Sequence, residues 1–293
     1  MPWNYLTERF TMRRCFVSVT VAAVLVLLPA GTESADAAPA GQEAVASQFD
    51  PHDLSGLWYN DTYRNGGRGR VRLFGPDGSH PPLTPAGAAK MSGRVSAEDA
   101  DVPTNSNDPI FQCDPLGFPR ILDRHETIEF IHTNDRILQF TQWERRLREI
   151  WLDGRELPSG QNLDNLGPAW YGHSVGTWEG DTLVVNTVGI NDLAWLDRTG
   201  LPISFDARVE ERWRRIDADT LELRMTLHDP TYYTAAWGGD DPILFKTENP
   251  EYVSYYGWDG LYSGITEQIC APLDEVEMFN KRIRDPAGIG VAN

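Results

Sequence analysis

Four side chains with acid–base chemistry fall in one segment that otherwise has the pattern of strands and loops. They are His173, Asp197, His228 and Tyr233. A histidine whose pKa is set by a neighbouring carboxylate can pass protons near neutral pH, and a tyrosine hydroxyl can polarise a carbonyl group. These residue types predict a cofactor-free acid–base site of the kind that lyases, isomerases, hydrolases and cyclases use. Glu149 and Glu211 are the runner-up pair, because each lies two residues from a tryptophan and burial against an aromatic wall raises the pKa of a carboxyl group.

The same part of the chain is rich in aromatic side chains that can bind a planar or hydrophobic molecule. Nine of the ten tryptophans follow residue 40, and several fall in predicted loops or at strand ends. The predicted ligand-binding residues are Trp143, Trp151, Tyr171, Trp195, Trp237, Arg148 and Arg212. The two arginines can hold a carboxylate or an enolate, or they can pair with glutamates on neighbouring strands. Packing between loops would bury the same rings without any ligand.

No cofactor and no metal are predicted. The sequence has no H-E-x-x-H pair, no Walker A loop and no glycine pattern of a dinucleotide-binding fold. A zinc site would have to gather His125, His173 and His228 from separate strands. Histidines so far apart along the chain more often serve as hydrogen-bonded residues of the core or its rim.

Antiparallel strands are predicted to position these side chains. Extended runs meet at Glu179-Gly180-Asp181 and again at Asp217-Ala218-Asp219, which is the pattern of β-hairpins. The predicted strands are 127–131, 136–143, 145–152, 170–178, 182–188, 205–216 and 220–229. A single short helix is predicted over 83–91, with Thr84 as its N-cap and Pro85 at its first position.

The strand count and the scarcity of helix predict an all-β fold. A sandwich and a barrel both fit short strands at turn spacing. Gly56-x-Trp58 at the start of the first strand resembles the G-x-W of lipocalin-like barrels, and a serial meander follows it. We therefore expect an antiparallel lipocalin-like barrel with long loops and one short helix.

The N-terminal residues predict export. Arg13-Arg14 precedes an apolar run, Phe16–Leu28, that is shorter than the roughly 20 residues of a membrane span, and small residues of the A-x-A type follow it. Residues 13–17 also match the twin-arginine export pattern, and either Met1 or Met12 fits as the start. The predicted organisation is a signal peptide at 1–40, a mobile leader at 41–52, one barrel domain at 53–275 and a tail at 276–293. The expected location is secreted or periplasmic.

Charge and cysteine content narrow the partners. The formal net charge is −17, and residues 1–40 contribute nothing to it because three acidic and three basic side chains cancel there. Because a protein this acidic repels nucleic acid and anionic lipid, we expect a small-molecule partner, no nucleic acid and no membrane span after signal removal.

Cys113 and Cys270 are predicted to form a disulfide in an oxidising compartment, and a Cys113 nucleophile is the alternative. The oligomeric state is left open.

Four segments resemble the shared motifs of a secreted bacterial family that has no settled activity. They are Cys113–Arg120, Trp178–Val185, Val209–Arg212 and Asp229–Thr234, the last with the pattern D-P-x-x-Y-T. The resemblance covers about Leu54 to Cys270, and it implies export and a common fold. Family members usually have a proline soon after the Tyr-Thr pair, whereas this chain has Ala235-Ala236 and then Trp237.

Together these features predict an exported β-barrel protein with an aromatic-lined pocket for a hydrophobic or aromatic small molecule. An acid–base enzyme that uses the same pocket is one alternative, and an envelope interaction protein is another. The positions of His173 and His228 discriminate between binding and catalysis. Both histidines in one cavity near a carboxylate would favour an enzyme, and both on the outer face would argue against it.

Overall fold

The computed structural model describes residues 49–62, 82–96, 105–124, 126–238 and 242–247, together with Ile265, Cys270 and Arg282. All of these residues belong to the compact unit that spans residues 46–293. The predicted signal peptide, the start of the leader and nearly all of the tail lie outside the described residues, so their boundaries stay predictions. His125 also lies outside them.

Nine strands close into a barrel. The ten strands of the described residues are β1 Gly56–Asn60, β2 Ile128–His132, β3 Arg136–Thr141, β4 Leu147–Trp151, β5 His173–Glu179, β6 Thr182–Val188, β7 Arg208–Asp217, β8 Thr220–His228, β9 Trp237–Gly238 and β10 Ile243–Thr247, and all but β9 belong to the barrel. Each strand from β1 to β8 pairs with the next, and β10 pairs with both β8 and β1, which closes the ring. β9 adds to β8 beside the ring. The predicted β-barrel and its hairpins β2–β3, β5–β6 and β7–β8 are confirmed.

One strand pair departs from the predicted antiparallel order. β4 and β5 run parallel, and only Ile150 with Ser174 and Trp151 with Val175 are in register. A parallel pair needs a crossover connection, here residues 152–172, which include a short helix, Gly160–Leu166. The sequence predicted this connection as loop, because its glycine, asparagines and aspartate are poor helix formers. The barrel is therefore mixed, and the two strands diverge beyond their short contact.

Two short helices occur among the described residues, where the sequence predicted one. α1 is Pro85–Met91, and the Thr84 hydroxyl accepts a hydrogen bond from the Gly87 amide at 3.1 Å, as expected of an N-cap. α2 is the Gly160–Leu166 helix of the crossover. No helix in the described part of the chain is long and apolar enough to cross a membrane.

Side chains fill the barrel. Alternate residues of β8 are buried, and the fully buried Trp213 contacts Phe130 and Phe245 with ring centroids 5.1 and 5.3 Å apart. Trp58 is also fully buried, and its indole Nε1 donates to the Leu54 carbonyl at 2.9 Å. Because the rings occupy the interior, a ligand site has to be sought at the surface of the barrel.

The segment after Cys113 packs on the barrel and is covalently tied. Its apolar side chains Leu116, Phe118, Ile121 and Leu122 are buried in the core. The Phe118 amide donates to the Trp170 carbonyl at 2.9 Å, and Asn60 on β1 donates to the Leu122 carbonyl at 3.0 Å. The predicted disulfide between Cys113 and Cys270 is present, with Cα atoms 5.6 Å apart. The segment therefore connects β1 with the chain that leads into β5.

Candidate functional site

A groove of about 770 Å³ opens where β4 and β5 diverge, and we call it the β4–β5 groove. Leu147, Glu149 and Trp151 line it from the outer face of β4, where they alternate with the buried Arg148 and Ile150. The crossover supplies the opposite wall with Trp170 and Tyr171, and His173 adds to it from the start of β5. The groove exists because the parallel pair is only two residues long and leaves the two strands free to separate.

The walls of the groove combine exposed apolar side chains with charged ones, and they are partly rigid. Leu147 and Leu166 are among the few large apolar side chains exposed in the described residues, at 50 % and 55 %. Two arginines contact Trp151, with the Arg155 guanidinium 3.5 Å and the Arg136 guanidinium 4.5 Å from its ring centroid. Stacking of this kind fixes the plane of an indole ring. The groove thus combines exposed apolar surface with a tryptophan that is already oriented.

Arg148 lies at the inner end of the groove, and all the N–H donors of its guanidinium are hydrogen-bonded within the barrel. Its five N–H donors reach Ser174, Gln139, Thr187 and both carboxylate oxygens of Glu211, with lengths up to 3.1 Å. The Phe118 ring lies 3.9 Å from the guanidinium carbon, and the Trp213 indole donates to Glu211 Oε1 at 3.0 Å. This buried ion pair is the cross-strand alternative to ligand binding, and it holds β3, β4, β5, β6 and β7 together.

Ser174 belongs to a five-residue run that matches the letters of the hydrolase pattern G-x-S-x-G, namely Gly172 to Gly176. In hydrolases that serine stands exposed on a sharp turn between a strand and a helix. Here Ser174 is buried within β5, and its hydroxyl lies 3.1 Å from Arg148 Nε and 3.0 Å from Thr187 Oγ1. The run therefore builds the polar interior of the barrel, and the match to the pattern is fortuitous.

Five of the predicted site residues line the groove: Arg148, Glu149, Trp151, Tyr171 and His173. His173 Nε2 lies 3.1 Å from the Gly167 carbonyl oxygen, so it carries the proton and donates there. Glu149 is paired with Arg136, whose Nε is 3.2 Å from Glu149 Oε1. Twelve lining residues were outside the predicted set, among them Arg145, Arg155 and Trp170. Along the sequence, these three residues lie just before β4, just after it and just before β5. Local patterns do not reveal that these segments share one surface.

The two histidines of the predicted acid–base set do not meet. His173 pairs with Val188, and His228 pairs with Arg208, so the two histidines stand in one row with two strands between them. Three strand spacings separate them by about 14 Å. Their neighbours Ser174 and Leu227 are buried in the barrel, which puts both histidines on its outer face.

Tyr233 and Asp197 instead hold the loops beyond β6. The Tyr233 hydroxyl donates to the Pro202 carbonyl at 2.6 Å, and burial together with nearby Asp229 raises its pKa. Asp197 accepts from the Thr199 and Leu201 amides at 2.9 and 3.2 Å, which closes a turn. These contacts account for both side chains without a substrate.

The remaining predicted side chains lie outside the groove. Trp195 is buried, with the Arg94 guanidinium 5.2 Å and the Arg120 guanidinium 5.8 Å from its ring. Arg212 pairs with Glu179 at 2.7 Å on the outer face. Trp143 lies 4.1 Å from the Arg124 guanidinium, and Trp237 forms part of β9.

Asp123 is a buried carboxylate that the sequence did not single out. Its Oδ1 atom accepts no hydrogen bond from the described residues. Burial raises the pKa of this carboxyl well above its ordinary value, Asp197 adds to the rise, and Arg120 and Arg124 oppose it. It lies beyond the groove, after the short 3-10 helix Arg120–Leu122.

Within the described residues, no group of three or more histidine, cysteine, aspartate or glutamate side chains is arranged to hold a metal ion. Comparisons of this chain with protein-family models, with curated protein sequences and with solved structures found no match. The resemblance to a secreted bacterial family therefore stays a prediction that rests on the four quoted segments.

Proposed function

We propose that this protein is a binding protein whose β4–β5 groove takes a planar, largely apolar small molecule. The observation that carries the proposal is the convergence of Trp151, Trp170 and Tyr171 with two exposed leucines on one concave surface. Binding sites of this size for small molecules are typically lined by apolar and aromatic side chains with a few polar groups.

The rigidity of the groove supports the proposal. Trp151 is held by contacts with the Arg136 and Arg155 guanidiniums before any ligand arrives. Behind it, the Arg148–Glu211 network fixes the spacing of β4 and β5. A preformed site loses less conformational entropy on binding, so a modest contact area gives useful affinity.

Export is part of the proposal. The Cys113–Cys270 disulfide is typical of proteins that mature in an oxidising compartment, as the sequence of the N-terminus also predicts. A catalytic role for His173, Asp197, His228 and Tyr233 acting together has less support, because of the four only His173 lines the groove.

A neutral fluorescent aromatic amine, phenylnaphthylamine, tests the proposal by titration into the purified protein. We expect saturable binding that Trp151→Ala weakens at least about fivefold, since a buried aromatic contact is worth about 1 kcal/mol or more. Trp178→Ala is the matched control, because Trp178 is another half-buried outer tryptophan, with the His52 ring 4.5 Å away outside the groove. Absence of saturable binding, or equal loss in both variants, would contradict a site in the groove.

Native mass spectrometry of the exported protein gives an independent readout. We expect the wild type to carry a small molecule that Trp151→Ala loses and Trp178→Ala retains. A wild-type spectrum with no added mass, together with no binding of the amine, would remove the support for a binding protein.

A further inference from the structure

We infer that the ligand of the β4–β5 groove carries a planar amide group of the lactam type, with a donor beside an acceptor, that hydrogen-bonds to the main chain of Leu147. This inference rests on the proposed function and narrows its ligand class. The aromatic walls would hold the ring of the ligand, and the edge of β4 would pair with its polar side.

The hydrogen bonds between β3 and β4 show which main-chain groups of β4 point toward the groove. At the two ends of this strand pair, the Thr141 amide donates to the Arg146 carbonyl at 2.9 Å, and the Leu152 amide donates to the Asp135 carbonyl at 2.8 Å. Opposed residues of an antiparallel pair alternate between hydrogen-bonded and non-hydrogen-bonded positions. The even-numbered residues from 146 to 152 therefore turn their N–H and C=O groups toward β3, and residues 147, 149 and 151 turn theirs toward β5.

Only part of this outer edge of β4 is used by β5. Because Ile150 is in register with Ser174 and Trp151 with Val175, the parallel hydrogen bonds begin at the carbonyl of Glu149 and continue through Trp151. The N–H and C=O of Leu147 and the N–H of Glu149 come before this contact, and they have no hydrogen-bond partner among the described residues. The free edge of β4 thus presents a donor, an acceptor and a second donor in that order.

The groove runs along this free edge. Every residue from 145 to 149 lines the groove, although their side chains alternate between the outside and the inside of the barrel. Every residue from 169 to 175 lines it from the other wall. Consecutive residues of an extended chain share only their main chain, so the groove lies between two backbones. Unpaired groups on a strand edge can accept a new hydrogen-bonding partner, and backbone groups in a pocket fix the orientation of a ligand.

The order of the free groups selects the chemistry of the ligand. The N–H and C=O of an extended residue point the same way, so those of Leu147 match an acceptor and a donor that lie side by side. A lactam has this pair on a flat ring, and the ring suits the aromatic walls. A ligand without polar groups would cover the N–H and C=O of Leu147 and leave them unpaired, which weakens binding. A peptide strand would need a longer row of free groups than the three that precede the contact with β5.

Two fluorescent lactams, carbostyril and N-methylcarbostyril, test the inference by titration into the purified protein. They share one planar two-ring system, and only carbostyril has the N–H donor. We expect carbostyril to bind the wild type about tenfold more tightly, because the methyl group blocks the pairing and leaves the Leu147 carbonyl without a donor.

Amide hydrogen exchange of the wild type, followed by NMR, gives a second readout. In the free protein the Leu147 amide should exchange much faster than the Arg148 amide, which is turned toward β3. Saturation with carbostyril should slow exchange at Leu147 at least about tenfold, because the ligand then accepts its hydrogen bond.

Leu147→Pro removes the free N–H and leaves the hydrogen bonds to β3 intact. Proline is tolerated where the N–H of a strand is unpaired, and Arg146 before it has φ −85° and ψ 143°, which a residue before proline readily adopts. Leu147→Ala is the matched control, since it loses the same side chain and keeps the N–H. We expect the proline variant to bind carbostyril about five- to tenfold more weakly than the alanine variant, with a similar melting temperature. Both variants should bind phenylnaphthylamine equally, because that amine offers no carbonyl acceptor to the N–H.

The outcomes distinguish this inference from the function on which it rests. Equal binding of the two lactams by the wild type, with both weakened by Trp151→Ala, would overturn the paired amide and leave the aromatic site standing. Equal affinity of the proline and alanine variants for carbostyril would overturn the role of Leu147. A Leu147 amide as protected as that of Arg148 in the free protein would do the same, and this measurement decides even where the proline variant does not fold. Failure of carbostyril to bind a wild type that binds phenylnaphthylamine would overturn the inference alone, and failure of all three probes would overturn it together with the proposed function.

Discussion

Arg148 joins the groove to the interior of the barrel. Strand alternation correctly separates it from Leu147 and Glu149, and parity correctly puts Glu211 beside Trp213. Pairing of Arg148 with a glutamate is the alternative that the sequence left open, with Glu211, Glu149 and Glu210 as the candidates. The choice of Glu211 follows only from the closed fold, because the contact joins β4 with β7 across the barrel. The sequence thus supplied the residue types of a polar site, and only the closed fold showed that two of them satisfy each other.

Removing one member of this pair should strongly destabilise the fold. Glu211→Gln leaves the Arg148 guanidinium buried without its counter-charge, which costs about 3–5 kcal/mol. The measurement is urea unfolding followed by tryptophan fluorescence. Glu210→Gln is the control, because Glu210 pairs with arginines on the solvent side of the same strand and should cost less than about 1 kcal/mol. Similar losses of unfolding free energy in the two variants would show that the buried ion pair contributes no more to stability than the surface pairs.

Because of Asp123, we expect the free energy of unfolding to fall as pH rises. Its pKa is raised in the folded state, so between about pH 3.9 and that raised value the folded protein holds more protons than the unfolded chain. Unfolding free energy therefore decreases with pH across this window. Asp123→Asn cannot titrate, so its stability relative to wild type should grow with pH there and then level off. Unfolding curves from pH 4 to pH 8 test this, and a difference that is flat or declines with pH would contradict it.

The element that shapes the site is the crossover between β4 and β5, together with the Cys113–Leu122 segment that packs against it. Gly117 lies where these two segments meet, and its φ is +74°. The amide of the next residue, Phe118, donates a hydrogen bond to the Trp170 carbonyl. A Cβ atom at Gly117 would lie 2.7 Å from the Ala194 Cβ and 3.2 Å from the Trp170 carbonyl oxygen. The glycine of the C-D-P-x-G-F-P-R motif is therefore explained by both backbone conformation and space.

Gly117→Ala should destabilise the protein by about 2 kcal/mol or more, because it adds overlap to backbone strain. Gly154→Ala is a close control, since Gly154 has a φ of +80° but nothing within 4 Å of an added Cβ. It should cost only about 1 kcal/mol. Thermal unfolding of both variants measures the difference, and equal costs would mean that space at Gly117 is not limiting. Weaker binding of phenylnaphthylamine by Gly117→Ala alone would mean that the Cys113–Arg120 segment supports the groove.

At the scale of the whole molecule, local patterns predict the barrel and miss the groove. Hairpins such as β7–β8 follow from alternation and from turn residues, because their pairing is local. Closure depends on β10, which pairs with β1 and β8 from distant parts of the chain. The groove depends on the parallel pair β4–β5 and on α2, whose sequence is a weak helix former. Composition likewise brought His173 and His228 into one hypothesis, although two strands separate them.

The Cys113–Cys270 disulfide affects the stability of the entire barrel. It closes a loop with a sequence separation of 157 residues, which contains nine of the ten described strands in whole. The chain-entropy model assigns such a link about 5 kcal/mol, most of it through the unfolded state, and measured values are commonly 2–4 kcal/mol.

The double variant Cys113→Ser with Cys270→Ser should therefore have a free energy of unfolding smaller by about 2–4 kcal/mol, and it should unfold at a lower urea concentration than the wild type. Its far-ultraviolet circular dichroism should match the wild type in the absence of denaturant, because the strand pairing does not depend on the link. Wild type treated with a reductant is the matched control and should show the same midpoint. A reduced wild type as stable as the oxidised one would contradict a stabilising disulfide and weaken the argument that this chain matures in an oxidising compartment.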